Sequence, residues 1–230
     1  MRYLSLKGTL VKELPKSIGR LLNLQTLDIS DTQIEALPRG IGKLLNLRHL
    51  ILYGYAGNWN VFKFVYGMQA PSNICRLTNL QSMSIIEVKG NLIRQIRSMT
   101  QLSISISNVK ATDEIDLCDS IQNMRLLRSL SMVTNEEETL RMDALSSPPP
   151  NLQKLGLVGK LEKVPQWFHS LQSITFLKLH WSRLEEDPLP HIATLPHLGC
   201  LEFINAYVGK QLCFNTGFPK LTELIIYNFP

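Results

Sequence analysis

A spacing of leucines, Leu-x-x-Leu-x-Leu, recurs about ten times in this chain and constrains its fold more than any other feature. Clear copies begin at Leu24, Leu47, Leu152, Ile174, Leu198 and Leu221. Self-similarity at a period of about 20 to 30 residues is typical of a solenoid, in which each repeat packs only against its neighbours. The sequence therefore predicts a repeat protein that presents a recognition surface rather than a catalytic domain.

The repeats predict an α/β fold, a leucine-rich-repeat solenoid curved like a horseshoe with parallel strands on its concave face. Alternation along one strand places Leu27 and Ile29 in the core, and Thr26 and Asp28 outward. We see no cap at either end, so we expect a piece of a longer architecture. The ten irregular repeats start near Met1, Leu24, Leu47, Leu80, Leu102, Leu127, Leu152, Ile174, Leu198 and Leu221.

The segments that return from one strand to the next share a second motif. Residues 14–21, 37–44 and 164–171 each carry a proline at the second position and apolar residues at the fifth and eighth. Because proline fixes φ and is favoured in the first turn of a helix, each copy predicts a short helix. Thr9, Thr32 and Ser182 follow a strand, where a hydroxyl can hydrogen-bond the backbone of the turn.

Three segments break the period, although we assign residues 1–230 to a single leucine-rich-repeat domain. The unit that starts at Leu47 contains an aromatic-rich insertion, residues 53–70, which either packs against the flank of the solenoid or forms a contact ridge. Around residues 102–106 the spacing is short by one, so the register there stays open. Residues 135–150 are polar and end in three prolines, which predicts a solvated loop.

Charge is distributed unevenly along the chain, whose formal net charge is +5. Residues 1–110 carry a balance of +9, whereas residues 111–230 carry −4. The two halves are therefore expected to meet different partners. No transmembrane segment or signal peptide is predicted, and the four cysteines form no Cys-x-x-Cys pair. Buried, reduced thiols and a cytoplasmic location are the expectation.

Known catalytic and metal-binding motifs are missing from the sequence. His191 and His197 are six residues apart, a spacing that suits no common zinc site, and no Gly-x-Ser-x-Gly or His-Glu-x-x-His occurs. The acidic clusters at 136–138 and 185–187 are expected to be solvated loop faces. Nucleic-acid binding is a weaker alternative, since the basic residues are scattered among leucines. We predict no enzyme, no cofactor and no metal.

The outward strand positions are the candidates for protein binding. Exposed aromatic side chains flanked by charge are typical interface anchors. The first candidate is the late cluster Phe176, Lys178, His180, Trp181 and Glu202, unless Trp181 tucks into the turn after its strand. Glu223 and Tyr227 extend this cluster, and early candidates are Tyr3, Lys7, His49 and Tyr53. The middle positions are small: Ser82, Ser84, Ser103, Ser105, Ser129 and Ser131.

An ordered series of segments carries a family resemblance. It includes residues 2–9 with 14–19, the Gly-Met-Gln-Ala-Pro of 67–71 after the insertion, 116–121, the Pro-Gln-Trp of 165–167, and 187–189 with 195–198. The whole chain resembles the leucine-rich-repeat region of plant intracellular immune receptors, the coiled-coil NB-ARC-LRR disease-resistance proteins, especially those of grasses. The chain itself has no coiled coil and no Gly-x-x-x-x-Gly-Lys-Ser/Thr phosphate loop.

The resemblance implies two protein partners. One is a pathogen effector or a guarded host protein, and the other is the nucleotide-binding module of the same receptor. We expect Lys7, Lys12, Lys16 and Arg20 to contribute to a basic face that docks on that module. A free-standing intracellular signalling scaffold is the alternative function. A surface-receptor ectodomain fits less well, because Gly-x-Ile-Pro segments, glycosylation sequons and capping cysteine pairs are missing.

Overall fold

The computed structural model describes residues 1–52, 67–87, 99–106, 111–135, 137–214 and 217–228. Ten strands form one parallel sheet in chain order. They are β1 (Tyr3–Ser5), β2 (Thr26–Asp28), β3 (His49–Ile51), β4 (Ser82–Glu87), β5 (Gln101–Ile106), β6 (Ser129–Thr134), β7 (Lys154–Val158), β8 (Phe176–His180), β9 (Cys200–Ile204) and β10 (Glu223–Tyr227). The predicted leucine-rich-repeat solenoid, with its strands on the concave face, is confirmed.

Short helices return the chain on the convex side. The α-helices are α1 (Ala111–Gln122) and α2 (Leu189–Ile192), and the 3-10 helices are Lys16–Arg20, Arg39–Lys43, Ser72–Arg76 and Gln166–Ser170. Each of these 3-10 helices follows a proline, which occupies the N-cap position with an extended ψ. The proline motif therefore predicted three of them correctly, and the fourth follows Pro71 in a segment that the motif search did not include.

Leucine side chains at equivalent repeat positions fill a continuous core between the sheet and the helices. Leu24, Leu27, Leu47 and Leu50 are fully buried, Leu177 and Leu201 fill the Leu27 position in later repeats, and Phe203 fills the position of Ile29. The side chains that alternate with them point to the concave face, because successive strand residues face opposite sides of a sheet. Position in the repeat thus decides which residues a partner can touch.

The fifth repeat begins three residues earlier than the sequence indicated. Leu102 pairs with Leu130, so it is the second leucine position of its repeat, and the first position is the fully buried Met99. The predicted start at Leu102 is therefore wrong. Methionine takes the place of the expected leucine, and the apolar run 102–106 resembles the motif with a spacing that is one residue short. A register shift in β4 between Met83 and Ile86 accompanies this irregularity.

Polar side chains close the turns between repeats. The hydroxyls of Thr9 and Thr32 donate to the carbonyls of Leu6 (2.6 Å) and Ile29 (2.8 Å), as their position predicted. Ser182 lies at the equivalent position and is buried, but its hydroxyl makes no hydrogen bond within the described ranges. Serine therefore takes the place of threonine there without the same bond.

Asp187 has a structural role that the sequence did not reveal. One carboxylate oxygen accepts a hydrogen bond from the backbone N–H of Leu189 (2.9 Å), and the other accepts one from the N–H of Cys213 (2.8 Å). This half-buried side chain joins two successive loops, so the expectation that residues 185–187 are simply a solvated face is wrong for Asp187.

The expectation of buried cysteines is also only partly confirmed. Of the four cysteines, Cys118 is buried and the other three are half-buried.

Candidate protein-binding face

The register of the last three strands assembles the late cluster. Phe176 pairs with Cys200 and Cys200 with Glu223; Lys178 pairs with Glu202 and Glu202 with Ile225; His180 pairs with Ile204 and Ile204 with Tyr227. Neighbouring strands lie about 4.8 Å apart, so side chains at paired positions are in reach of each other. The structure therefore places Phe176, Lys178, His180, Glu202, Glu223 and Tyr227 on one surface.

Glu202 lies between two nitrogen-bearing side chains. Its Oε2 atom is 3.6 Å from Lys178 Nζ and 3.2 Å from His180 Nε2. The His180 side chain is only 6% exposed, and burial together with the positive charge of Lys178 lowers the pKa of His180 to about 3. His180 is thus a neutral support beneath the surface, and the partly exposed Lys178 and Glu202 are what a partner would meet.

Cys200 lies between Phe176 and Glu223 on this surface. Burial, followed by the hydrogen bond and the negative charge of Glu223, raises the pKa of the Cys200 thiol to about 11. The thiol therefore stays protonated at neutral pH, which makes it a poor nucleophile and a poor metal ligand. At this position the face offers a small, weakly polar contact rather than a reactive group.

Trp181 lies in the turn after β8 with a left-handed backbone. Its φ is 58°, and its N–H donates to the Ile204 carbonyl at 2.7 Å. A bulky residue at positive φ is a conformational outlier, whereas glycine, asparagine and aspartate tolerate it. The equivalent position in other repeats, also at positive φ, holds Gly8, Asp31, Gly159, Asn205 and Asn228.

Trp181 is half-buried in that turn, as the alternative interpretation of the sequence proposed. The exposed Arg183, two residues later, also has a positive φ, of 48°. Residues held in such conformations concentrate at functional sites, so the observed outlier is a reason to look for contact here. Arg183 was missed in the sequence because nothing but its closeness to Trp181 distinguishes it.

The early candidates do not join the late cluster. Tyr3 is 59% exposed on β1, and Lys7 is exposed just after that strand. His49 on β3 is half-buried, and its Nδ1 atom lies 2.8 Å from the Ser82 hydroxyl. Tyr53 lies outside the described residues. Because β1 to β3 are separated from β8 by the strands β4 to β7, these residues belong to a second surface at the other end of the sheet.

Besides His180, which is buried, two outward positions offer less surface than the alternation predicted. Asp28 is only 8% exposed, and its Oδ1 atom accepts hydrogen bonds from the backbone N–H (3.0 Å) and the hydroxyl (2.6 Å) of Ser30. Ser105 is fully buried beside Gly67. Their predicted availability for contact is therefore wrong, since local polar bonds and a returning segment cover them.

Within the described ranges, no group of three or more His, Cys, Asp or Glu side chains is placed to hold a metal ion. In the same ranges, none of the helices combines the length and the apolar character that crossing a bilayer requires. What the surface does combine is aromatic, charged and apolar side chains on adjacent strands, which is the composition of a protein-contact surface.

Comparison with known proteins agrees with the fold and the repeat pattern. The leucine-rich repeat region family matches residues 1–230. Disease resistance protein RPM1 of Arabidopsis thaliana is 42% identical over 185 residues, covering 78% of this chain and 20% of that protein. Disease resistance protein RGA4 of Oryza sativa subsp. japonica is 26% identical over 249 residues, covering 100% of this chain and 24% of that protein. The chain thus spans about a quarter or less of these relatives.

Solved structures show the same fold at low sequence identity. An internalin (inlF) from Listeria monocytogenes superposes with a TM-score of 0.58 at 15% identity, covering 100% of this chain and 68% of that one. The crystal structure of PEPR1-AtPEP1 superposes with a TM-score of 0.58 at 17% identity, covering 99% of this chain and 35% of that one. The chain therefore belongs to the leucine-rich repeat region family, and within that family it is similar to plant disease resistance proteins.

Proposed function

We propose that this chain is the non-enzymatic protein-recognition module of an intracellular plant immune receptor. In this role it senses a pathogen effector or a guarded host protein in the cytoplasm, and it acts with a nucleotide-binding switch that lies elsewhere in the receptor. The observation that carries the proposal is the late face: Phe176, Lys178, Glu202 and Tyr227 converge from three strands. The relatives named as disease resistance proteins support the defence role.

The chemistry of the late face suits a protein partner. Phe176 and Trp181 are half-buried, so they are held in place, and they keep a surface that a partner can cover. Tyr227 and Ile225 lie on the same side of the last strand as Glu223, next to Ile204 and Glu202 of β9. Aromatic anchors beside partly screened charges are the side chains whose truncation costs most at protein interfaces. The irregular β4 register and the 12-residue α1 distinguish the chain from a scaffold of uniform repeats.

The double substitution Phe176→Ala/Lys178→Ala tests the late face. Wild-type chain is first screened against an arrayed library of secreted pathogen proteins and host proteins, and each binder is then measured by surface plasmon resonance. We expect about 30-fold weaker binding by the double variant, because an anchor and its charged neighbour are lost. The matched control is Ser129→Ala/Ser131→Ala, the same two positions on β6. Equal affinities of the two double variants would contradict the proposal.

Trp181→Asn in the same assay separates lost contact from lost fold. Asparagine tolerates the left-handed conformation, so relief of about 1 kcal/mol of strain offsets the packing that the half-buried indole loses. We expect its free energy of unfolding to stay within about 0.5 kcal/mol of wild type. Binding should nevertheless fall about tenfold if the indole contacts the partner. Unchanged binding would remove Trp181 from the proposed contact surface.

The nucleotide-binding module is the second proposed partner. Lys7, Lys12, Lys16 and Arg20 are all exposed, which supports a basic docking face in the early half. Reversing all four charges to glutamate should weaken binding of the separately produced module and reduce its dependence on salt. Titration calorimetry at two salt concentrations measures both effects. Unchanged affinity would show that these side chains take no part in docking.

A further inference from the structure

Three convex-side 3-10 helices of the early half stack with their backbones almost in contact. The helices are Lys16–Arg20, Arg39–Lys43 and Ser72–Arg76. A Cβ atom on Gly19 would lie 2.6 Å from the Gly40 carbonyl oxygen, and one on Gly42 would lie 2.6 Å from the Asn73 carbonyl oxygen. Asn73 also donates a side-chain hydrogen bond to the Arg39 carbonyl at 2.8 Å. The stack is therefore close-packed, and residues at equivalent positions form rows across it.

The last position of every helix in this stack is basic. Arg20, Lys43 and Arg76 occupy it, and all three side chains are exposed. Arg39 at the start of the second helix and Arg48 just before β3 are also exposed. No aspartate or glutamate occurs in residues 14–27, 37–50 or 71–86, the segments that run from the proline into the strand. This edge of the solenoid is therefore positive without internal neutralisation.

Two leucines protrude from the same edge. Leu22 is 58% exposed and Leu45 is 48% exposed, each two residues after the last basic residue of its helix. The turns that carry them are fixed to one another. Asn46 donates its side-chain amide to the Leu22 carbonyl, and Asn79 donates to the Leu45 carbonyl, both at 2.9 Å. The edge thus presents two ordered apolar side chains beside a row of cations, which we call the basic rim (Arg20, Leu22, Lys43, Leu45, Arg48 and Arg76).

We propose that the basic rim binds the surface of an anionic bilayer. Cationic side chains near an anionic membrane are attracted to its surface potential, and neighbouring apolar side chains insert at the boundary of headgroups and acyl chains. A membrane suits this feature better than a protein because the rim is a convex row of long charged side chains. Protein interfaces instead place their anchors in well-packed pockets that exclude water. The contact is peripheral and goes beyond the recognition function proposed above.

Vesicle co-sedimentation with the whole chain tests this inference. The vesicles are phosphatidylcholine alone and phosphatidylcholine with 30% phosphatidylserine, at low and at physiological salt. We expect at least tenfold stronger binding to the anionic vesicles, weakened by salt. Lys43→Gln/Arg76→Gln should reduce binding about tenfold. Leu22→Ser/Leu45→Ser should leave a weaker binding that salt abolishes. Because all four positions are exposed, we expect the thermal midpoints of the variants to equal that of the wild type. Measuring these midpoints checks that the variants fold.

Lys160→Gln/Lys163→Gln is the matched control, since these two cations are exposed and lie outside both the basic rim and the proposed docking face. The affinity of this control for vesicles should lie within twofold of that of the wild-type chain. The inference is overturned if the wild-type chain binds both vesicles equally or neither, or if the control loses as much binding as Lys43→Gln/Arg76→Gln. Binding to a 20-residue poly-glutamate peptide, without binding to anionic vesicles, would assign the rim to an acidic protein and would also overturn it. None of these outcomes depends on the late face.

Discussion

Gly40→Ala is expected to destabilise the chain by about 3 kcal/mol, although alanine is the better helix former. A Cβ atom on Gly40 would overlap the carbonyl oxygen of Lys16 in the preceding helix. That atom belongs to the backbone and cannot rotate away, so the two 3-10 helices must separate. Separation also disturbs the contact between Gly19 and Gly40. Urea denaturation followed by circular dichroism measures the loss as a lower midpoint.

Gly156→Ala is the control for this prediction. A Cβ atom there would lie 3.4 Å from the Ser131 hydroxyl oxygen on the concave face, an ordinary contact distance. Because alanine costs less backbone entropy than glycine, we expect this variant to match or slightly exceed wild-type stability. Equal midpoints for the two glycine variants would show that the helix stack is not close-packed at Gly40, and would weaken the case for an ordered basic rim.

The repeat motif predicted most of the fold because its spacing specifies which residues of each strand face the core and which face outward. Leucines three and five positions after the first must both reach the core, which fixes strand, register and direction together. The prediction was wrong at the fifth repeat for a physical reason. Methionine fills the core as well as leucine, so Met99 serves the packing while it hides the motif.

The late face was predictable to the extent that it depends on alternation. Phe176, Lys178 and Glu202 follow from strand periodicity, and parallel pairing in equal register brings them together. The left-handed backbone of Trp181 could not be predicted in the same way. Trp181 occupies the same repeat position as Gly8, Asp31 and the two asparagines, which are residues typical of a left-handed turn, whereas tryptophan itself carries no turn signal. The double hydrogen bond of Asp187 depends on a loop 26 residues later, which no local pattern indicates.

Charge in the early half is also ordered across the repeat, which the balance of +9 alone did not reveal. The segments from helix to strand hold basic side chains and no acidic ones, whereas the acidic Glu13, Asp31 and Glu35 lie between the end of a strand and the next proline, a segment that also holds Lys7 and Lys12. Every repeat runs in the same direction, so these positions fall on opposite edges of the solenoid. One chain can therefore offer a cationic edge and a separate concave contact face, and a partner on one need not displace a partner on the other.

Acidification is expected to destabilise the chain through His180. Burial, and then the charge of Lys178, lowers its pKa in the folded state to about 3, well below the ordinary value of 6.5. Below pH 6.5 the unfolded chain therefore binds a proton at this residue, whereas the folded chain does not. The contribution of neutral His180 to the free energy of unfolding is fully present above pH 6.5 and is lost as the pH falls towards 3. Between pH 7 and pH 5 the loss is up to about 2 kcal/mol. The Glu202 carboxylate, 3.2 Å from His180 Nε2, reduces it by favouring the imidazolium.

His180→Gln isolates this contribution from the titration of the carboxylates. Glutamine is uncharged at both pH values, so the difference in unfolding free energy between pH 7 and pH 5 should be smaller in the variant by about 1 to 2 kcal/mol. Urea denaturation of both proteins at the two pH values gives this double difference, in which any constant effect of the substitution cancels. An identical pH dependence would mean that the folded chain accepts the proton. The Glu202 carboxylate would then outweigh burial, and His180 would carry a positive charge into the late face in mildly acidic solution.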